Sequence, residues 1–129
     1  MNKSQVNPWS WQDRAGFSQG WKIEGAQSLL FVSGQGGISA EGELVGDGDF
    51  KAQAELAFRN LEAVLQGAGA SLADVVKLTV YLTDMARLRD YIAVKARFIN
   101  GDQPASTALQ VPALALPGMM IEVEAIAAL

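Results

Sequence analysis

The chain contains no cysteine and no histidine. The first absence excludes a disulfide framework, a thiolate nucleophile and a cysteine-ligated zinc site. The second removes the usual general base near neutral pH and the commonest metal ligand. A Ser-His-Asp triad is therefore excluded, no metal or other cofactor is expected, and chemistry falls to carboxylates, hydroxyls, Arg, Lys, Tyr, backbone groups or bound water. Charge is sparse too: 19% of the 129 residues are charged, and the net charge is −4. The ten basic residues are scattered. An acidic chain without a basic cluster repels a phosphate backbone, so no nucleic-acid partner is expected. No apolar run approaches the roughly 20 residues that span a bilayer, so no membrane partner is expected either. Residues 1–11 are polar, carry two tryptophans and lack the apolar core of a signal peptide, which makes a cytoplasmic location the expectation.

Apolar residues, by contrast, make up half of the chain. A length of 129 residues suits one domain over 1–129 with a core of its own. So much apolar surface is hard for a lone small domain to hide, and predicts a subunit interface, unless alanine simply inflates the count. The first 20 residues read as an irregular arm whose Trp9, Trp11 and Phe17, with the following Trp21, pack on the body or on a neighbouring subunit.

Trp21–Ile23 and Ser28–Ser33 read as two strands joined by a turn, and Ser39–Val45 as a third short strand. Between them, Gly34-Gln35-Gly36-Gly37 reads as a bend, the alternative being a set of backbone amides offered to an anion; it is neither a P-loop nor a dinucleotide fingerprint. Ala54, Ala57, Leu61, Val64, Leu65 and Ala68 recur at helical spacing, with Asp47 or Asp49 as cap and Gly67 or Gly69 as stop. Ser71–Asp74 has the spacing of a capping box. Val75–Thr83 alternates as a strand, with Val76, Leu78, Val80 and Leu82 on one face and Lys77, Thr79, Tyr81 and Thr83 on the other. The second face carries too few charges for a solvent face and could line the inside of an oligomer. Asp84 caps a second helix with Leu88, Tyr91, Val94 and Phe98 on one face, ending near Asn100-Gly101. Ser106–Val111 and Met119–Ala128 complete an order β-β-β-α-β-α-β-β, an α+β arrangement with two helices over one mixed sheet.

Asp47-Gly48-Asp49 lacks the later ligands of a calcium loop and is read as helix capping. Glu122 and Glu124 lie two apart on a strand and share a face, where a cleft carboxylate can shuttle protons, while a solvated face or an ion pair explains them equally. Ser106 and Thr107 are hydroxyls at a strand start with no histidine to activate them.

Ser33-Gly34-Gln35, Asn60–Leu65, Asp74–Asp84, Pro104-Ala105 and Ile121–Ala127, in this order, resemble the RidA/YjgF family, also called the endoribonuclease L-PSP family; Phe17-Ser18-Gln19-Gly20 is similar to its aromatic-x-Gln segment. The resemblance implies a chorismate-mutase-like fold, a homotrimer and small-molecule clefts between subunits. In its deaminating members water attacks the carbon of a 2-imino acid, ammonia leaves, and no cofactor takes part. Such members hold the substrate carboxylate with an arginine after the Pro-Ala pair, at the position of Ser106 here. They often carry Tyr where this chain has Phe17, and an Asn about where Tyr91 stands. Glu122 matches the carboxylate that positions the attacking water. The resemblance thus implies Glu122 as catalytic, and Phe17, Ser33, Gly34, Gln35, Tyr91, Ser106 and Thr107 as substrate-binding. It implies a hydrolase or deaminase whose substrate differs from the usual one or is held by another cation such as Arg14 or Arg97. The alternatives are a non-catalytic metabolite-binding trimer and a protein-interaction or chaperone-like trimer.

Overall fold

The computed structural model describes residues 1–129. Its elements are β1 (Asn2–Val6), β2 (Gly20–Glu24), β3 (Leu29–Gly36), α1 (Phe50–Gly67), β4 (Val75–Leu82), α2 (Leu88–Phe98), β5 (Ala105–Gln110) and β6 (Ile121–Ala128). Four strands form one mixed sheet in the order β3-β6-β4-β5, parallel only between β4 and β5. Both helices lie on one face, α1 across β3 and β6 and against α2, which gives the α+β fold expected.

Alternation in β4 and β6 builds this arrangement. Leu78, Val80 and Leu82 on β4, and Ile121, Val123 and Ala125 on β6, are buried facing the helices. Ala54, Ala57, Phe58, Leu61 and Leu65 of α1 close over them. Alanines at two of these helical positions let the helix sit low on the sheet, so the alanine content serves close packing. Asp49 caps α1, accepting from the Ala52 amide at 3.1 Å. Asp74 accepts from the Ser71 amide at 2.8 Å, the capping-box contact expected there. Asp84 caps a 3-10 turn over Met85–Arg87 that leads into α2.

Several local expectations give way. The arm is not irregular throughout: β1 pairs antiparallel with β2. Trp21–Ile23 therefore belongs to a separate two-stranded ribbon, and β3 pairs with β6 instead of with β2. Ser39–Val45 is a turn held by a single bridge between Ile38 and Leu44. The order of strands and helices stands because β1 replaces that segment in the count. A register shift between Val75 and Lys77 takes Val76 out of line, so that Val75 enters the core in its place. Gly34, Gln35 and Gly36 continue β3, and none of the three glycines in Gly34–Gly37 has positive φ. They serve close approach: a Cβ on Gly37 would lie 2.9 Å from the Gln53 backbone of α1.

Candidate functional site

The sheet face turned away from the helices carries Thr79 and Tyr81 of β4 and Glu122 and Glu124 of β6, as the two-residue period of a strand requires. The register sets Tyr81 opposite Glu122 and Thr79 opposite Glu124. Tyr81 donates its hydroxyl to Glu124 Oε1 at 2.5 Å. That bond raises the Tyr81 pKa, and burial and the charges of Glu124 and Glu122 add to it. Glu124 is thus engaged within the chain, whereas Glu122 stands beside a notch. A Cβ built on Gly34 would lie 1.8 Å from Glu122 Oε1 and 2.5 Å from its Cδ, so the missing side chain makes the room the carboxylate occupies. The notch sits in a β-bulge between Val32 and Gln35, which re-aims the strand beside Glu122. Gln35 turns back, donating to the Ser33 carbonyl at 3.1 Å.

Thr107 lies on this same outer face, accepting from Lys77 Nζ at 2.8 Å. Burial lowers the Lys77 pKa. A cavity of about 340 Å³ here is lined by Phe31, Ser33, Lys77, Thr79, Glu124 and Ile126. Phe31 is 70% exposed, an unusual position for phenylalanine in a lone domain.

Ser106 is on the other face. It pairs with Leu78, a core position, and points toward Tyr91 on α2. Tyr91 is buried, stacks on Phe58 with 6.0 Å between ring centroids, and its hydroxyl approaches Ser106 without closing a hydrogen bond. Burial pushes its pKa up, with Ser106 acting weakly in the opposite direction.

Phe17 belongs to the arm, in edge-to-face contact with Trp11 at 5.6 Å. The next residue bridges to Ala105 at the start of β5: Ser18 donates its amide to Pro104 O at 3.1 Å and its hydroxyl to Gln103 O at 2.7 Å. Phe17, Tyr91 and Ser106 therefore share one corner, beside a cavity of about 180 Å³ that reaches Gly16, Phe17, Ser18 and Gln103. Glu122, Ser33, Gly34 and Thr107 belong to the outer face, whereas Gln35 pairs with Val123, a core position. The candidates fall into two groups on opposite sides of one sheet.

Of the cations considered as replacements for the arginine, Arg97 pairs with Glu55 on the helix layer and Arg14 is exposed in a 3-10 turn. A cavity of about 670 Å³ between the start of α1 and α2 holds the Arg87–Asp90 pair and Arg97, and none of the residues the resemblance implies as catalytic or substrate-binding. Sequence reasoning missed two groups. Tyr81 was visible on its face, but its bond to Glu124 was not. Lys95 lies four residues after Tyr91 on the apolar side of α2, and that spacing was the available signal.

The family model described as Endoribonuclease L-PSP matches residues 10–129. A RutC family protein of Pyrococcus abyssi is 40% identical over 112 residues, covering 86% of this chain and 84% of its own length. The 2-iminobutanoate/2-iminopropanoate deaminase of Rattus norvegicus is 38% identical over 99 residues, covering 76% of this chain and 71% of its own. Among solved structures, the Rid-family protein YyfB from Yersinia pestis superposes with a TM-score of 0.90 at 37% identity over 100% of both chains. RidA from an Antarctic Psychrobacter superposes with a TM-score of 0.74 at 38% identity over 88% of each. With family model, relatives and fold in agreement, the chain belongs to the RidA/YjgF family, which includes reactive-intermediate deaminases.

Proposed function

We propose that this chain is a cofactor-independent hydrolase of the imine- or enamine-deaminase type, acting in the cytoplasm as a homotrimer through clefts between its subunits, on a substrate differing from the usual 2-imino acids. The observation that carries the reading is the Gly34 notch: it gives Glu122 a defined place on the outer face while Tyr81 occupies the neighbouring Glu124. In this reading Glu122 takes a proton from water as the water oxygen bonds to the imine carbon. Glu122 passes that proton to nitrogen; the hydroxyl proton of the tetrahedral adduct follows by the same route as the carbon–nitrogen bond breaks, and ammonia leaves with a carbonyl product. Phe31 and Leu29, apolar and exposed on the outer face, support association of copies.

Ser106 supports the change in substrate. A serine cannot make the bidentate pair of an arginine, and losing one partner of a desolvated ion pair costs about 3–5 kcal/mol. The same residue favours the second reading, a trimer that binds a metabolite without turning it over. The discriminating experiment is a pair of variants assayed on 2-iminopropionate and on any imine or enamine substrate identified by screening. Glu122→Gln should keep assembly and ligand binding and lose turnover by roughly 10²–10⁴-fold. Glu124→Gln should change turnover much less. Equal turnover by both variants and the parent removes Glu122 from the mechanism, and binding without turnover in the parent favours the second reading.

A further inference from the structure

The cations of this chain are not spread evenly over its cavities. Three of its ten basic residues, Lys51, Arg87 and Arg97, line the cavity of about 670 Å³ between the start of α1 and α2. The cavity on the outer sheet face has Lys77 alone, and the small one beside Phe17 has no cation. In a chain of net charge −4, this is where positive charge gathers. Two buried apolar side chains, Phe50 and Val94, line the same space. A volume of this size lies within the range of small-molecule sites, roughly 300–1,000 Å³.

Most donors of these cations are unused. Lys51 is exposed and forms no ion pair. The guanidinium of Arg87 lies over the Phe50 ring, 5.9 Å from its centroid. Of its five N–H donors one meets Asp90, at 3.4 Å. Both members of that pair are exposed, the setting in which ion pairs are weakest and most easily exchanged. Arg97 meets Glu55 through Nη1 and keeps its remaining donors. Two acids line the cavity. Asp49 is engaged by α1, accepting from the Ala52 amide, and Asp90 is the partner of Arg87.

We infer that this cavity is a second ligand site, separate from the Glu122 face, for an aromatic phosphate monoester. The planar apolar body lies against Phe50 and Val94, and the phosphate takes the free donors of Arg87, Arg97 and Lys51, replacing Asp90 on Arg87. A phosphate monoester brings nearly two negative charges and three acceptor oxygens to three cations, where a carboxylate brings one charge and two oxygens. Arginine suits both halves of such a ligand, since its fork pairs with phosphate oxygens and its flat face stacks on rings. The helices cover the sheet on the side away from Glu122, so copies that meet through the outer face leave this site open. The inference does not depend on the hydrolase reading.

The test titrates the full-length protein with phenyl phosphate, phenol, benzoate and inorganic phosphate, followed by calorimetry and by NMR of the backbone amides. Phenyl phosphate should shift the amides of Gly48–Lys51 and Asp90–Arg97, and its binding should weaken as salt is added. Each control lacks one part of the ligand and should bind at least about tenfold more weakly, equivalent to 1.4 kcal/mol. Arg87→Ala should weaken phenyl phosphate by a similar factor. Asp90→Asn, which removes the competing carboxylate, should tighten it by about two- to fivefold, the range of an exposed ion pair. Should Arg87→Ala fail to fold, Asp90→Asn and the shifts in the parent decide the matter. Equal binding of any control, shifts confined to β4 and β6, undiminished binding by a folded Arg87→Ala, weaker binding by Asp90→Asn, or no binding of phenyl phosphate by the parent overturns the assignment.

Discussion

Gly34→Ala adds a single methyl group at the point where the outer face meets Glu122. The new carbon would stand 1.8 Å from Oε1, against the 3.4 Å at which ordinary contact begins, so the carboxylate must retreat by about 1.6 Å. A misplacement of about 1 Å in a reacting group is worth roughly 10²-fold in rate, and turnover should fall by at least that factor. Stability should hardly change. Gly34 has no positive φ, so alanine fits its backbone, and Glu122 is half-buried, free to take another rotamer. Turning it costs about 0.5–1.5 kcal/mol. The loss of a flexible glycine from the unfolded chain returns about 0.4–1 kcal/mol. The melting temperature should therefore move by less than about 5 °C. The assay is turnover on the identified substrate beside a thermal melt, with Glu122→Gln in parallel. Parent-like turnover in Gly34→Ala, where Glu122→Gln is inactive, would refute the notch. A fall in melting temperature beyond about 10 °C would show instead that Gly34 carries packing.

Other variants probe other parts of the molecule. The parent should sediment at about three times 13.7 kDa, and Phe31→Asp on the outer face should shift it toward monomer. Gln53 is fully buried; its amide donates to Gly46 O and Gly118 O at 3.0 Å and accepts from the Met120 amide at 2.9 Å. Gln53→Ala should thus destabilise by about 2–4 kcal/mol in chemical denaturation, since buried partners are left unpaired. Burial raises the pKa of Tyr91 above its ordinary 10.0, so its contribution is complete below pH 10 and declines as the unfolded chain ionises above it. The parent should lose about 1.4 kcal/mol in total from this group between pH 9 and 11, and Tyr91→Phe should remove that share of the loss in melts across the window.

What could be read from the sequence depended on how local its cause was. The alternation of Val75–Thr83, the helical spacing from Ala54 to Leu65 and the capping role of Asp49 are set within a few residues, and they appear close to where they were expected. The pairing of Asn2–Val6 with β2 joins segments fourteen or more residues apart, and the arm's polar sequence gave no sign of it. Glycine has the same appearance in a turn and in a close approach, so Gly34 and Gly37 revealed their purpose only against Glu122 and Gln53. Nothing local in the sequence marked Lys95, because composition cannot tell which lysine is covered by an arm. Ser106 and Glu122 were grouped by resemblance, while the strand period places them on opposite faces of the sheet.

The bulge at Ser33–Gly34 bears on a different matter, the fate of the chain at high concentration. β3 and β5 are the margins of the sheet, and a straight margin offers unpaired amides and carbonyls on which another molecule's strand can grow. In β3 the register breaks between Val32 and Gln35, and at the start of β5 Ser18 already occupies the pairing positions beside Ala105. Neither margin offers an uninterrupted template. Lateral accretion of strands, the route by which exposed sheets propagate into fibres, is discouraged at both sides, leaving contact between faces as the way for copies to meet.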